Sequence, residues 1–367
     1  MIKSSTLRSM IQSSVRMMNV PVGSQNMGMR GGTLQSDFWQ RGRSYRFREF
    51  STSKTCLSKG KDSDGYGSDD DHKELKSLYG NYEIVYPQTV SPRLDVPSHI
   101  QVPDYLSTPD GSPPGPKKKG PFLRTKDDLE VMRDTCRLAK SVLRKTISEA
   151  KVGVTTDELD KYAHHLIVEN DAYPSALLYK KFPKSICTSV NNVACHGIPD
   201  SRKLVDGDIV SIDLMVYKHG FHGDCAETVL VGNVDEKGKA LVTMANECMY
   251  MGIHQCGPNV PLEYIGQAIE NYATSYDFSV VGAFAGHGVG GNIHELPDVY
   301  HYERVSPAKE LMLPGMTFTI EPIVAQGMDL VKILPDGWTA VTLDGCRTAQ
   351  FEETILITNK GVEILTI

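Results

Sequence analysis

The sequence predicts a mixed α/β fold of two similar halves that share one polar centre, and three observations carry this expectation. The segment Gly207-Asp-Ile-Val-Ser-Ile-Asp213 matches Gly315-Met-Thr-Phe-Thr-Ile-Glu321 position for position, and each is followed by a Glu-Thr pair leading an aliphatic run, at 227–231 and 353–357. Stretches with apolar residues at helical spacing, 153–170 and 259–275, each precede a strand-like region. The carboxylates of Asp213, Asp224, Glu321 and Glu352 fall inside apolar strand-like runs, where an unpaired charge is expensive.

Taken in order, the first helix opens with a capping box between Thr155 and Glu158. The run DIVSIDLMVY (208–217) is β-branched and apolar enough for a buried strand, and Asp213 interrupts it. Eleven residues on, FHGDCAETVLV carries Asp224 into a second strand, with Lys218-His219-Gly220 as the turn between the two. With Lys218 and His219 at the tip, Asp213 and Asp224 face each other across the hairpin, their Cβ atoms roughly 5 Å apart. The second helix has Pro261 in its expected first turn. PGMTFTIEPIVAQG and RTAQFEETILIT then place Glu321 and Glu352 in two further strands. Asp224 lies three residues before Glu227 and Glu352 one before Glu353, a difference of two that keeps both on the same strand face.

Carboxylates this close repel unless cations sit between them. His287, in AGHGVGG, adds a nitrogen ligand where flanking glycines let the backbone approach a ligand. Four carboxylates and one imidazole, without thiolate, form a hard, oxygen-rich donor set. It suffices for two divalent ions sharing bridging carboxylates, the arrangement that activates water for hydrolysis. Structural zinc prefers Cys and His. Gly286–Gly291 satisfies the dinucleotide pattern GxGxxG, but NIHELPDVYH after it brings Pro297 and no helical period. Cys195 and His196, as strand neighbours, are expected on opposite faces and so form no thiol-imidazole dyad.

The motifs FPKSICTSVNNVACHGIPD, DGDIVSIDLMVYKHGFHGD, AGHGVGGNIHE, FTIEP and DGWTAVT…TAQFEETILIT resemble, in order and across nearly all of 122–367, those of the type I methionine aminopeptidases. The resemblance implies a pita-bread fold, two pseudo-symmetric α/β halves around a curved antiparallel sheet lined by metal ligands. It implies that Asp213 binds one metal alone, Asp224 and Glu352 bridge, and His287 and Glu321 complete the other site. Mn, Fe, Co and Zn all suit such ligands. It further implies that His196 and His294 contact substrate, that Glu321 moves the proton, and that Tyr179, Phe182, Cys187, Ile293 and Trp338 line a methionine slot. The implied reaction is removal of an N-terminal Met when the second residue is small. His164, His165, His219, His222 and His301 are expected to be surface or internally satisfied residues. Ile293 stands where Phe is usual, Gly291 and Asn292 replace a bulkier pair, and Glu353 replaces a common His, which brings the pocket rim into question. The competing functions are a non-catalytic pita-bread binding protein and an X-Pro-type metallopeptidase that shares the metals.

Residues 1–50 hold eight basic residues against Asp37 and Glu49, with many Ser and Met, and read as a mitochondrial-type transit peptide ending near Ser51. Residues 51–121 are acidic and then Pro-rich, and read as an extended or disordered linker with no core of its own, of which the part around 92–105 resembles the segment that precedes the core in the eukaryotic type I enzymes and is expected along its surface. The Cys-rich front domain of the cytosolic relatives is missing, since only Cys56 precedes residue 122, which favours an organellar form, mitochondrial matrix first and another organelle or the cytoplasm second. Residues 122–367 form one catalytic domain, large enough for a substantial core. Eight Cys without CxxC spacing fit a reducing compartment. No apolar run reaches the ~18 residues of a membrane span. A net charge of −6 argues against nucleic acid as the main partner. The expected partners are the N-terminal Met of protein and peptide substrates and, beyond them, the ribosome.

Overall fold

The computed structural model describes residues 77–114, 120–304 and 309–367. The first half runs through helices α1 (Lys126–Ser148) and α2 (Thr156–Val168) into β1 (Tyr173–Pro174), β2 (Cys187–Val190), β3 (Val193–Cys195), β4 (Ile209–Lys218) and β5 (Phe221–Leu230). The second half repeats the order. Helices α3 (Glu236–Ile253) and α4 (Glu263–Ser275) lead into β6 (Ser279–Val280), β7 (Gly286–Gly288), β8 (Glu295–Val299), β9 (Thr317–Ile320) and β10 (Ile323–Ala325). Strands β11 (Val331–Ile333), β12 (Ala340–Thr342), β13 (Thr348–Gln350), β14 (Glu352–Thr358) and β15 (Gly361–Ile364) complete it.

The main antiparallel sheet has the order β1-β4-β5-β14-β9-β7-β8, with β2 added on β4 and β15 on β14. Its pseudo-symmetry falls between β5 and β14, so the β4–β5 pair of one half answers the β9–β14 pair of the other. The repeated heptapeptide marks that symmetry. Gly207 and Gly315 take φ of 98° and 93°, open to glycine, and donate their N–H groups to Val231 O at 2.9 Å and Ile357 O at 2.8 Å. This is the pita-bread arrangement, with two smaller sheets, β13-β10-β6 and β11-β12-β3, beside it.

Period-two alternation sorts the main sheet into a dry face and a polar one. On β4, Ile212, Leu214 and Val216 join Val142, Leu143, Leu159 and Ile167 of α1 and α2 in one core. Phe318, Ile320 and Ile355 join Leu241, Cys248, Ile265 and Ile269 of α3 and α4 in the other. Truncating one such fully buried leucine to alanine costs about 2–5 kcal/mol. The capping box of α2 forms as read, Thr155 accepting from the Glu158 N–H and Glu158 returning the bond. Helix α4 begins at Glu263, so Pro261 precedes it and pairs with Leu311 instead of occupying the first turn. Helices α1 and α3 carry no expectation from the sequence. Their caps are Thr125, boxed with Asp128, and Asp235, which accepts from the Gly238 N–H.

The transit peptide at 1–50, its end near Ser51 and the linker over 51–76 lie outside the described residues. From Tyr79 to Ser112 the structure departs from a disordered linker. The backbone is mostly irregular, yet Tyr82, Val85, Ile100 and Tyr105 are buried. Val85 N donates to Asn192 Oδ1 and Gln88 N to Asp200 Oδ2, each at 2.7 Å, and Lys184 Nζ donates to Ser91 Oγ at 2.8 Å. Side chains from the first half of the fold thus replace ladder bonds this segment lacks. All seven described cysteines are free and buried, and no described helix is long and apolar enough to cross a membrane.

Candidate metal centre

The polar face of the sheet gathers all five sequence-derived ligands, but not by the expected register. The hairpin tip is His219-Gly220, with φ of 51° and 89°, the two left-handed residues a tight type I′ turn requires. Lys218 pairs with Phe221, so Asp213 faces Ala226 and Asp224 faces Met215. The two aspartates are therefore diagonal neighbours on one face, offset by two residues, and not a direct pair. Ala226 is also the partner of Glu352 on β14, which puts Asp213 and Glu352 on either side of one small residue. Glu321 directly follows β9, and His287 is the middle residue of β7.

Together they line a cavity of about 150 Å³. His287 Nε2 lies 3.5 Å from Glu321 Oε1 and 3.8 Å from Asp224 Oδ2. One ligand atom from each of Asp224, His287 and Glu352 falls within 4.8 Å of the others. His287 Nδ1 is 3.2 Å from Gly288 O, which can only accept. The ring proton is thereby placed on Nδ1, and the bare Nε2 lone pair faces two carboxylates. Asp224 Oδ1 is buried without a hydrogen-bond partner. A lone pair aimed at carboxylates and an orphaned buried carboxylate oxygen are repulsive arrangements that a cation converts to ligation, so the donor set fits divalent metal.

The electrostatics agree. Burial pushes Asp213 up to about 7 and Glu321 up to about 8. Burial, followed by mutual repulsion within the group, holds Asp224 and Glu352 well above the carboxylate range. Burial also depresses His287 and His196 to about 4 and His294 well below its usual value, so all three are neutral at working pH. Glu321 is aimed by its surroundings. Thr319 Oγ1 donates to Glu321 Oε1 at 2.7 Å, Gln350 Nε2 to Oε2 at 3.5 Å, and the Glu321 N–H donates to His301 Nε2 at 3.1 Å. Asp224 is fixed through its backbone, whose carbonyl accepts from Thr354 Oγ1 at 2.8 Å.

Beside the carboxylates the same cavity has an apolar wall containing Tyr179, Phe182, Cys187 and Trp338. Phe182 meets Trp338 edge-on at 5.1 Å, and the His196 ring stands edge-on to Phe284 and Trp338 at 5.3 and 5.8 Å. His294 lies 4.2 Å from His287, ring to ring, and its Nδ1 is 2.7 Å from the Tyr179 hydroxyl. Ile293 departs from expectation: it packs behind the wall with Tyr105 and Tyr179 and does not line the cavity. Gly291 and Asn292 are also off the lining, in a turn where the Asn292 N–H donates to Glu295 Oε1 at 3.0 Å.

Two further expectations change. Glu353 does not shape the rim. It faces the opposite side of the sheet from Glu352 and is buried against Lys140 Nζ at 2.7 Å. Cys195 and His196 do not point apart, because β3 ends at Cys195 and His196 turns left-handed at φ 55°, so both line the cavity. A dyad is still disfavoured, since burial holds the Cys195 thiol far up. His222 and His301 are internally satisfied, as read, although His301 supports a ligand. Thr319, Gln350 and Phe284 were missed. Thr319 was legible in FTIEP, two residues and hence one face away from Glu321.

Residues 130–359 match the profile of metallopeptidase family M24. The chain is 46% identical over 288 residues to the mitochondrial methionine aminopeptidase 1D of Danio rerio, covering 78% of this chain and 83% of that one. A crystal structure of methionine aminopeptidase from Rickettsia prowazekii superposes with a TM-score of 0.66 at 39% identity, over 67% of this chain and all of that one. A prolidase from Pyrococcus furiosus, at 21% identity and a TM-score of 0.54 over 67% of this chain and 65% of its own, shares the fold alone. The buried carboxylate and imidazole set and these likenesses agree, and the chain belongs to the M24 metallopeptidases as a methionine aminopeptidase.

Proposed function

We propose that the enzyme removes the initiator Met from newly made chains with a small second residue, using two divalent ions (Mn, Fe, Co or Zn), in the mitochondrial matrix. One observation carries this reading: a single cavity joins the five hard ligands to an apolar wall of Tyr179, Phe182, Cys187 and Trp338, on which a thioether packs well. Asp213 would hold one ion alone, Asp224 and Glu352 would bridge, and His287 and Glu321 would complete the second. When bound, the ions supply a water acidic near neutral pH and a Lewis acid for the scissile carbonyl.

The remaining work falls to side chains. Glu321, aimed by Thr319 and Gln350, takes the proton of the attacking water and delivers it to the leaving amine. With the Tyr179 hydroxyl donating to His294 Nδ1, the Nε2–H of His294 is left to donate to the substrate carbonyl. His196, neutral and held against Phe284 and Trp338, supplies a second donor. Losing one such donor costs about 10²–10³ in rate. The relatives named mitochondrial support the matrix assignment, as does the basic, Ser-rich stretch 1–50, which we take to be cleaved near Ser51. Recovery of an intact Met1 from purified organelles would contradict that step.

Product analysis on Met-Ala-Ser, Met-Lys-Ser and Met-Pro peptides tests the specificity. Release of Met from the first and not from the second supports the reading. Cleavage confined to the proline peptide would favour an X-Pro enzyme, and no cleavage by folded, metal-loaded protein would favour a binding protein.

A further inference from the structure

The segment before the catalytic helices reaches the active site through one strained turn. Tyr105 is 1% exposed, inside a cluster with Ile100, Leu177, Tyr179 and Ile293. Its ring meets Tyr179 edge-on at 5.4 Å and 83°, and its hydroxyl donates to Ser175 O at 2.6 Å. Gly111 sits on the next residues. Lys180 N donates to Gly111 O at 2.9 Å, and a Cβ added at Gly111, where φ is 72°, would lie 2.1 Å from Leu178 O. Only glycine fits that approach.

Between these two contacts, Leu178, Lys180 and Lys181 have φ of 64°, 43° and 67°. Side-chain-bearing residues avoid this region and persist in it where surrounding structure over-determines them. Three within four residues need support that their own short bonds, such as Leu178 N to Phe182 O at 2.8 Å, do not supply alone. What the turn delivers is the Tyr179 hydroxyl, 2.7 Å from His294 Nδ1.

We infer that residues 100–112 are a positioning element of the active site, in which Tyr105 and Gly111 hold the Leu178–Lys181 turn so that Tyr179 fixes the ring of His294. Neither residue touches the cavity, and both lie before residue 130, where the match to the family profile begins. The inference rests on the reading of His294 as a donor to substrate and adds to the catalytic apparatus a segment that precedes the family-profile match, though the longer likeness to the relatives includes it.

The test is a double-mutant cycle between Gly111→Ala and Tyr179→Phe in the full chain, loaded with Mn or Co, with kcat and KM for Met-Ala-Ser and the unfolding midpoint measured for each. Each single variant is expected to lose about tenfold in kcat with KM changed less than about twofold, since small displacements of a positioned group are costly in rate. The double variant is expected to match Tyr179→Phe alone, because Gly111 acts through Tyr179. Gly111→Ala lowers the midpoint in either case, because its Cβ meets Leu178 O; a merely structural role would multiply the two rate losses, which overturns the inference. Should Gly111→Ala fail to fold, the same cycle with Tyr105→Leu decides. A folded wild type that releases no Met sinks the aminopeptidase reading and this inference together, whereas an active wild type with multiplicative variants sinks this inference alone.

Discussion

Replacing Glu321 by Gln in the metal-stripped enzyme isolates the energetic strain stored in the metal centre. Burial raises Glu321 to about 8 in the folded state, against an ordinary 4.5. The sign follows from proton counting. Between those two values the folded state holds a proton that the unfolded chain has released, so stability is present below the window and is lost as pH rises through about 8. For one group near 8, the loss between pH 6 and pH 9 is on the order of 3 kcal/mol. Removing the Glu321 charge also relieves its repulsion on Asp224 and Glu352, which acts in the same direction, so the difference between the two proteins reports Glu321 together with that coupling. The Gln variant should therefore gain about 3 kcal/mol on apo wild type from pH 6 to pH 9, or roughly 5–10 °C in melting temperature. Urea unfolding after chelation at both pH values measures it. A difference that does not change with pH, or that shrinks toward pH 9, would refute the claim that this carboxylate is buried without a cation of its own.

Other expectations follow from the same geometry. Lys140→Ala leaves Glu353 buried without a counter-charge, held only by the Thr366 hydroxyl among the described residues, and should cost about 3–5 kcal/mol in urea unfolding, whereas Lys140→Met with Glu353→Leu should come within about 1 kcal/mol of wild type or exceed it. Thr319→Val removes the hydroxyl that donates to Glu321 and accepts from the His287 N–H, so it loosens two proposed ligands at once, and should lower kcat for Met-Ala-Ser at least about tenfold. Formyl-Met-Ala-Ser should resist cleavage, because the free amine is the expected handle at the site; efficient release of formyl-Met would contradict this.

The proposed metal ligands were legible because each breaks a local rule. A carboxylate within a β-branched apolar run has no packing reason to be there, and Asp213, Asp224, Glu321 and Glu352 all reach one cavity. The hairpin register was not legible to the residue, since moving the tip from Lys218-His219 to His219-Gly220 changes the partner of Asp213 by two while keeping its face. Helices α1 and α3 were missed because their caps are weak signals: α1 closes its box with Asp128 where Glu or Gln is the usual mark, and α3 has Gly238 at that position. The segment 79–112 was read only in part: a place along the core was expected around 92–105, and the rest was taken as linker. Its Pro-rich composition is that of a linker, and what orders it are bonds to Asn192, Asp200 and Lys184, more than ninety residues away. Glu353 shows the same limit in reverse. Its adjacency to Glu352 suggested the site, and strand alternation turned it away.

The most direct test of the central claim is release of free Met from Met-Ala-Ser by chelator-stripped enzyme, wild type and Asp224→Ala, each resupplied with Mn, Co or Zn. The account predicts cleavage by wild type only after metal is returned, and none by Asp224→Ala with any of the three. Cleavage by stripped wild type, or by Asp224→Ala at a comparable rate, would contradict a metal centre built on these carboxylates.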